Sequence, residues 1–97
     1  MEHLTPIQIK ILKAIFANPK ATILFIADHI DESDVDTATN TVTLRTYQLL
    51  RQKTNSDGVS TFTVTTYGQE WMLKNLKLDA LEKLTLNIMC NAHNAEA

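Results

Sequence analysis

Between residues 37 and 56 the chain carries Thr39, Asn40, Thr43, Leu44, Arg45, Tyr47, Gln48, Arg51 and Lys53, and no acidic residue. Carboxamides donate and accept hydrogen bonds at once, hydroxyls do so more loosely, and a guanidinium forks onto paired acceptors. Together these groups suit hydrogen-bonded recognition of a partner that also carries negative charge. At helical periodicity, Asn40, Thr43, Leu44, Tyr47, Gln48 and Arg51 fall on one side. Ala38, Val42, Thr46 and Leu49 fall on the other, with Leu50 at its margin, and that apolar side is expected to face a core. The run Thr39–Thr43 is a poor helix former, costing about 0.5 kcal/mol per residue relative to Ala. A solvated surface with no other duty would favour better formers, so the outward side is the candidate site.

Other chemistries find little footing. Asp28-His29-Ile30-Asp31 sets a His beside carboxylates, but no further ligand follows at metal spacing, and His3 and His93 lie near the ends. There is no Gly-rich phosphate loop, nucleophile elbow or CxxC pair. The expectation is therefore no enzyme, no catalytic residues, no metal and no cofactor.

The elements that must position the candidate face are legible from caps and periodicity. Thr5-Pro6-Ile7-Gln8 reads as an N-cap, a proline in the first turn and the Gln of a capping box. Ile7, Ile11, Leu12, Ile15 and Phe16 then form one apolar stripe, with Ile9 off it, until Asn18-Pro19 stops the helix. Thr22 can cap a second, short helix to about Ile30, burying Ile23, Ile26, Ala27 and Ile30. After the polar turn Asp31–Asp34, Asp36 or Thr37 is expected to open a third helix over 37–52. Asn55-Ser56-Asp57-Gly58 is a hairpin turn, followed by a β-rich strand from Val59 to Val64. Phe62 and Val64 share that strand's inner face, and its partner must be Lys53-Thr54 and neighbours. Thr66 with Gln69 reads as the capping box of the next helix, and Asp79 with Glu82 as a restart after a break near Leu78.

Ninety-seven residues with 44% hydrophobic content suit one modest core. Two Gly and two Pro exclude a low-complexity chain, and no apolar run suffices to span a membrane. The first residues lack a signal-peptide pattern, and Cys90 stands alone. A reducing cytoplasm is the expectation, with a disulfide between two chains through Cys90 as the alternative. The net charge of −2 is unevenly spread. Asp28, Asp31, Glu32, Asp34 and Asp36 crowd residues 21–36, ahead of the basic stretch with Arg45, Arg51 and Lys53. A locally basic helix in an acidic protein fits a specific, salt-sensitive nucleic-acid contact better than a non-specific coat.

Thr41-Val42-Thr43-Leu44-Arg45-Thr46-Tyr47-Gln48-Leu49 is similar to the recognition-helix pattern of winged helix-turn-helix regulators. Val64-Thr65-Thr66-Tyr67-Gly68 resembles the junction between wing and last helix in multiple-antibiotic-resistance-type repressors, and Leu4-Thr5-Pro6 with Gln8 resembles their first-helix start. The resemblance covers residues 4–76 and implies a mainly α fold with a small β-hairpin wing: a three-helix core, a short wing and a C-terminal helix or helices. It implies a domain over 1–76, with 77–91 as a C-terminal helical extension and 92–97 as a frayed tail.

On this reading the chain is a small sequence-specific transcriptional regulator that binds double-stranded DNA, with helix 37–52 in the major groove. Asn40 would pair with adenine, Thr43 and Leu44 would meet base edges or thymine methyls, and Arg45 would reach guanine or phosphate. Thr39 belongs to the same face, and Tyr47, Gln48, Arg51 and Lys53 would meet the backbone. The wing tip carries no Arg or Lys. The leucine content of the extension suggests a homodimer through Leu78, Leu81, Leu84 and Ile88, without a separate sensor domain. The alternative is a winged-helix protein-interaction module, an adaptor or phage or plasmid accessory protein. Such a module would anchor a protein partner through Leu44 and Tyr47.

Overall fold

Residues 3–76 and 84 are described by a computed structural model. Helix α1 (Pro6–Ala17) begins at the expected cap: the Thr5 hydroxyl accepts from the Gln8 N–H at 3.3 Å, and the Gln8 Oε1 accepts from the Thr5 N–H at 3.0 Å. Its stripe is buried as expected, with Ile11, Leu12 and Ile15 in the core and Ile7 and Phe16 packed against it. Helix α2 (Ile23–Ile30) is capped by Thr22, whose hydroxyl accepts from the Phe25 N–H, and buries Ile26 and Ala27. A Lys10–Glu32 ion pair at 3.5 Å links α1 to the turn that follows α2.

Helix α3 spans Asp34–Thr46, earlier at both ends than the expected 37–52. Ser33 is the N-cap, accepting from the Asp36 N–H at 3.1 Å, and Asp34 and Asp36 sit in the first turn where carboxylates oppose the helix dipole favourably. At the other end Gln48 adopts a left-handed conformation, φ 65°. Its N–H donates to the Arg45 carbonyl at 2.9 Å, and the Leu49 N–H reaches back to the Leu44 carbonyl at 3.1 Å. This paired closure satisfies the last carbonyls and packs Leu49 on Leu44's side of the core. Helix α2 ends in the same way, with Asp31 at φ 58° and the Glu32 N–H on the Ala27 carbonyl.

The chain then enters β1 (Leu50–Thr54), which pairs antiparallel with β2 (Ser60–Val64) in the register Leu50↔Val64, Gln52↔Phe62, Thr54↔Ser60. The turn between them is closed by Asn55, whose Oδ1 accepts from the Asp57 and Val59 N–H groups. Lys20 and Ala21 extend the sheet on β2's free side: the Lys20 N–H donates to Phe62 and the Phe62 N–H to Ala21. Helix α4 (Thr66–Asn75) is capped by Thr65, one residue before the expected Thr66. The Thr65 hydroxyl accepts from Gly68 and donates to the Gln48 carbonyl at 2.7 Å, so one side chain fixes both α4 and the end of α3.

Gly68 is needed for close approach. A Cβ there would lie 2.4 Å from the Leu49 carbonyl oxygen and 2.8 Å from Val64 Cγ1. The core is one cluster contributed by α1, α2, α3, both strands and α4, with Trp71 and Met72 closing it from α4. The expected break near Leu78 and the Asp79/Glu82 box lie outside the described residues.

Candidate nucleic-acid interface

Helix α3 turns a different side to solvent than hydrophobicity alone suggests. Thr37, Thr41 and Leu44, spaced at helical repeats, are buried, and Leu44 is 0% exposed. Val35 is 73% exposed and Val42 56%, and with Thr39 and Thr46 they form the outward stripe. Leu44 is therefore a core residue and not a contact, while Val42 and Thr46, expected inside, lie outside. The cause is that two threonines occupy interior positions. The Thr41 hydroxyl donates to the Thr37 carbonyl at 2.7 Å, which satisfies it and leaves its methyl to pack.

Asn40 is also not free as expected. Its Nδ2 donates to the Asp36 carbonyl at 2.8 Å, and its Oδ1 accepts from Gln8 Nε2 at 3.1 Å. The Gln8 side chain thus bridges the N-cap of α1 and the middle of α3. Asn40 orients α3 against α1. Thr39 is exposed and Thr43 half-buried, each hydroxyl donating one turn back.

Arg45 is exposed at the end of α3 and donates to Gln52 Oε1, whose Nε2 continues to Ser60 Oγ at 2.8 Å. This chain of side chains ties α3 to the hairpin. Tyr47 is the C-cap of α3 and Gln48 the left-handed residue after it, both exposed, so neither extends the helical face.

Arg51 and Lys53 belong to β1 and not to a helix. Strand side chains alternate between faces. Leu50 and Phe62 fix the inner face with Gln52, so Arg51 and Lys53 point outward beside Thr63 and Thr61. Lys20 joins them along one surface groove, which makes three cations on the outer side of the sheet. Of the expected dimer residues, Leu84 is helical and exposed, and Leu78, Leu81 and Ile88 lie outside the described residues. His29 stacks on Phe25 with ring centroids 5.8 Å apart.

No family model matches the sequence, and no curated protein matches it. Solved structures do match in shape. MepR, a transcription regulator of the Staphylococcus aureus multidrug efflux pump MepA, gives a TM-score of 0.62 at 14% identity, over 95% of this chain and 80% of its own. The PcaV transcriptional regulator from Streptomyces coelicolor, solved with its natural ligand, gives 0.65 at 15% identity over 99% and 79%. A MarR-family transcription regulator gives 0.69 at 19% identity over 97% and 67%. The fold is a winged helix-turn-helix.

Within the winged helix, α2 and α3 are the helix-turn-helix and β1–β2 the wing. Sequence reasoning missed Val35, Val42 and Thr46 on the exposed side of α3, and Lys20 beside the wing. Ser33 followed three residues on by Asp36 carried a start signal that would have placed the beginning of the helix correctly. Lys20 gave no such signal, because only the bridge to Phe62 brings it to the wing.

Proposed function

We propose that this winged helix is a sequence-specific DNA-binding transcription regulator that lays α3 in the major groove. In this reading it acts in the cytoplasm as a homodimer held through residues 77–91. The observation that carries the reading is the bare side of α3: Val35, Thr39, Val42 and Thr46 stand clear of the core, with Arg45 at the helix end. A helix whose exposed side is poor in good helix formers yet runs to the molecular surface suits insertion between phosphate ridges. Arg45, and the Lys20–Arg51–Lys53 cluster on the wing, supply cations for the backbone on either side of the hairpin.

The reading is tested by fluorescence anisotropy of a labelled mixed-sequence duplex at about 50 and 200 mM salt. Micromolar binding that collapses at the higher salt is expected. Arg45→Ala, and Lys53→Ala separately, should each weaken binding across sequences and lower the salt slope by about 1. Absence of binding at the lower salt overturns the proposal.

A second reading, a protein-interaction module, is favoured by one observation: exposed Val35 is flanked by Asp34 and Asp36 in the first turn of α3, and exposed Val42 follows two turns on along the same side. Leu44 cannot anchor such a partner, being buried, so the anchors would be the two valines. Val42→Asp would then abolish partner capture while Arg45→Ala and Lys53→Ala leave it intact.

A further inference from the structure

The threonine hydroxyls on α3 donate inward, to the backbone one turn back. The Thr39 hydroxyl donates to the Val35 carbonyl at 2.9 Å, Thr43 to Thr39 at 3.3 Å and Thr46 to Val42 at 3.0 Å. The Asn40 amide donates to Asp36 at 2.8 Å. A hydroxyl that donates its proton keeps lone pairs, so the threonines remain acceptors. What α3 shows outward is thus the methyl groups of Val35, Val42 and the threonines, with oxygen acceptors between them. Asp34 and Asp36 add carboxylate acceptors in the first turn, and Arg45 at the last turn is the cationic donor of the helix.

Base edges in the major groove differ in what they ask of such a surface. Guanine presents two acceptors, N7 and O6, which need donors. Adenine presents an amino donor beside its N7 acceptor, cytosine an amino donor, and thymine an O4 acceptor and a methyl, so it is the methyl contact that favours A·T over G·C. We propose that α3 reads its half-site by methyl contact and by accepting hydrogen bonds, so that the bases under Val35–Val42 are A·T pairs with thymine methyls packed on the valines. The span from Val35 to Val42 is about 10 Å along the helix, which covers about three base pairs. Guanine is disfavoured beneath Val35–Val42, because the cationic donor of the helix, Arg45, lies at its last turn. The inference rests on the DNA-binding reading and goes on to specify the base chemistry.

The test is selection of bound duplexes from a random pool with the full chain, followed by resynthesis of the selected site with deoxyuridine in place of thymidine. About three consecutive A·T pairs are expected in each half-site. Removing each contacted methyl should lower affinity about fourfold. Val42→Ala should lower the discrimination between thymidine and deoxyuridine at the pair beneath Val42, keep it at the pair beneath Val35, and leave the salt slope unchanged. Thr39→Val, which keeps a methyl and deletes the acceptor, should keep that discrimination and relax selection for the amino-bearing base. Guanines selected beneath the middle of α3, or an affinity indifferent to deoxyuridine, would overturn the inference while leaving DNA binding standing. Failure to bind any member of the pool would remove the DNA-binding reading and this inference with it.

Discussion

Thr37 and Leu44 show how much a single interior position of α3 decides. Both are fully buried, and the Thr37 Oγ1 has no hydrogen-bond partner among the described residues. Desolvating a hydroxyl without a partner costs about 1–3 kcal/mol, so Thr37→Val, which keeps the shape, is expected to raise stability by about 1 kcal/mol in urea unfolding. Leu44→Ala should lower it by about 3 kcal/mol, as truncation of a packed leucine does. Little change on Leu44→Ala would mean that Leu44 faces solvent after all. Because Leu44 supports α3 from beneath, its loss should weaken any binding through unfolding. Denaturation measured alongside binding separates that effect from loss of a contact.

The elements were legible where a side chain both caps and punctuates, and illegible where the chain turned without the usual residues. Thr5, Gln8 and Thr22 fixed the starts of α1 and α2 because their caps are local. The hairpin turn was readable from Asp57-Gly58, with Gly58 at φ 81°. The end of α3 was not, because Gln48 occupies the left-handed position where glycine is the common choice, and periodicity alone carries the helix on to residue 52. The candidate face inherited that error and a second one, a rotational setting that put Val42 and Thr46 inside; Thr37 and Thr41 take the interior positions instead. Arg45 and Thr39 survive on the face, Leu44 leaves it, and Asn40 becomes a clamp.

Two substitutions test the turn geometry. Gln48→Gly removes the left-handed penalty of a side chain, about 1 kcal/mol, and is expected to raise the melting temperature. Gly68→Ala forces a methyl onto the Leu49 carbonyl and should cost about 2 kcal/mol or more. A neutral outcome for Gly68→Ala would show that α4 can move away from the end of α3.

At the scale of the whole molecule, the core that unites α1 to α4 is assembled, among the described residues, from residues before 77. If residues 77–91 serve dimerisation, a chain ending at residue 76 should stay folded by circular dichroism, sediment as a monomer and lose cooperative binding to inverted repeats. The same truncation still sedimenting as a dimer would place the interface elsewhere.

The Gln8 side chain has a consequence at this scale as well. It is held at one end by the backbone of Thr5 and at the other by Asn40, so the entry of the chain into α1 and the rotational setting of α3 are mechanically geared. Whatever tugs on the segment around Leu4 and Thr5 is transmitted to the helix that faces outward, without any contact to that face. Gln8→Ala should therefore loosen hydrogen exchange in the middle of α3 as well as at the start of α1, and protection changes confined to α1 would show the two to be disengaged. A winged helix built this way carries a steering linkage at its amino end.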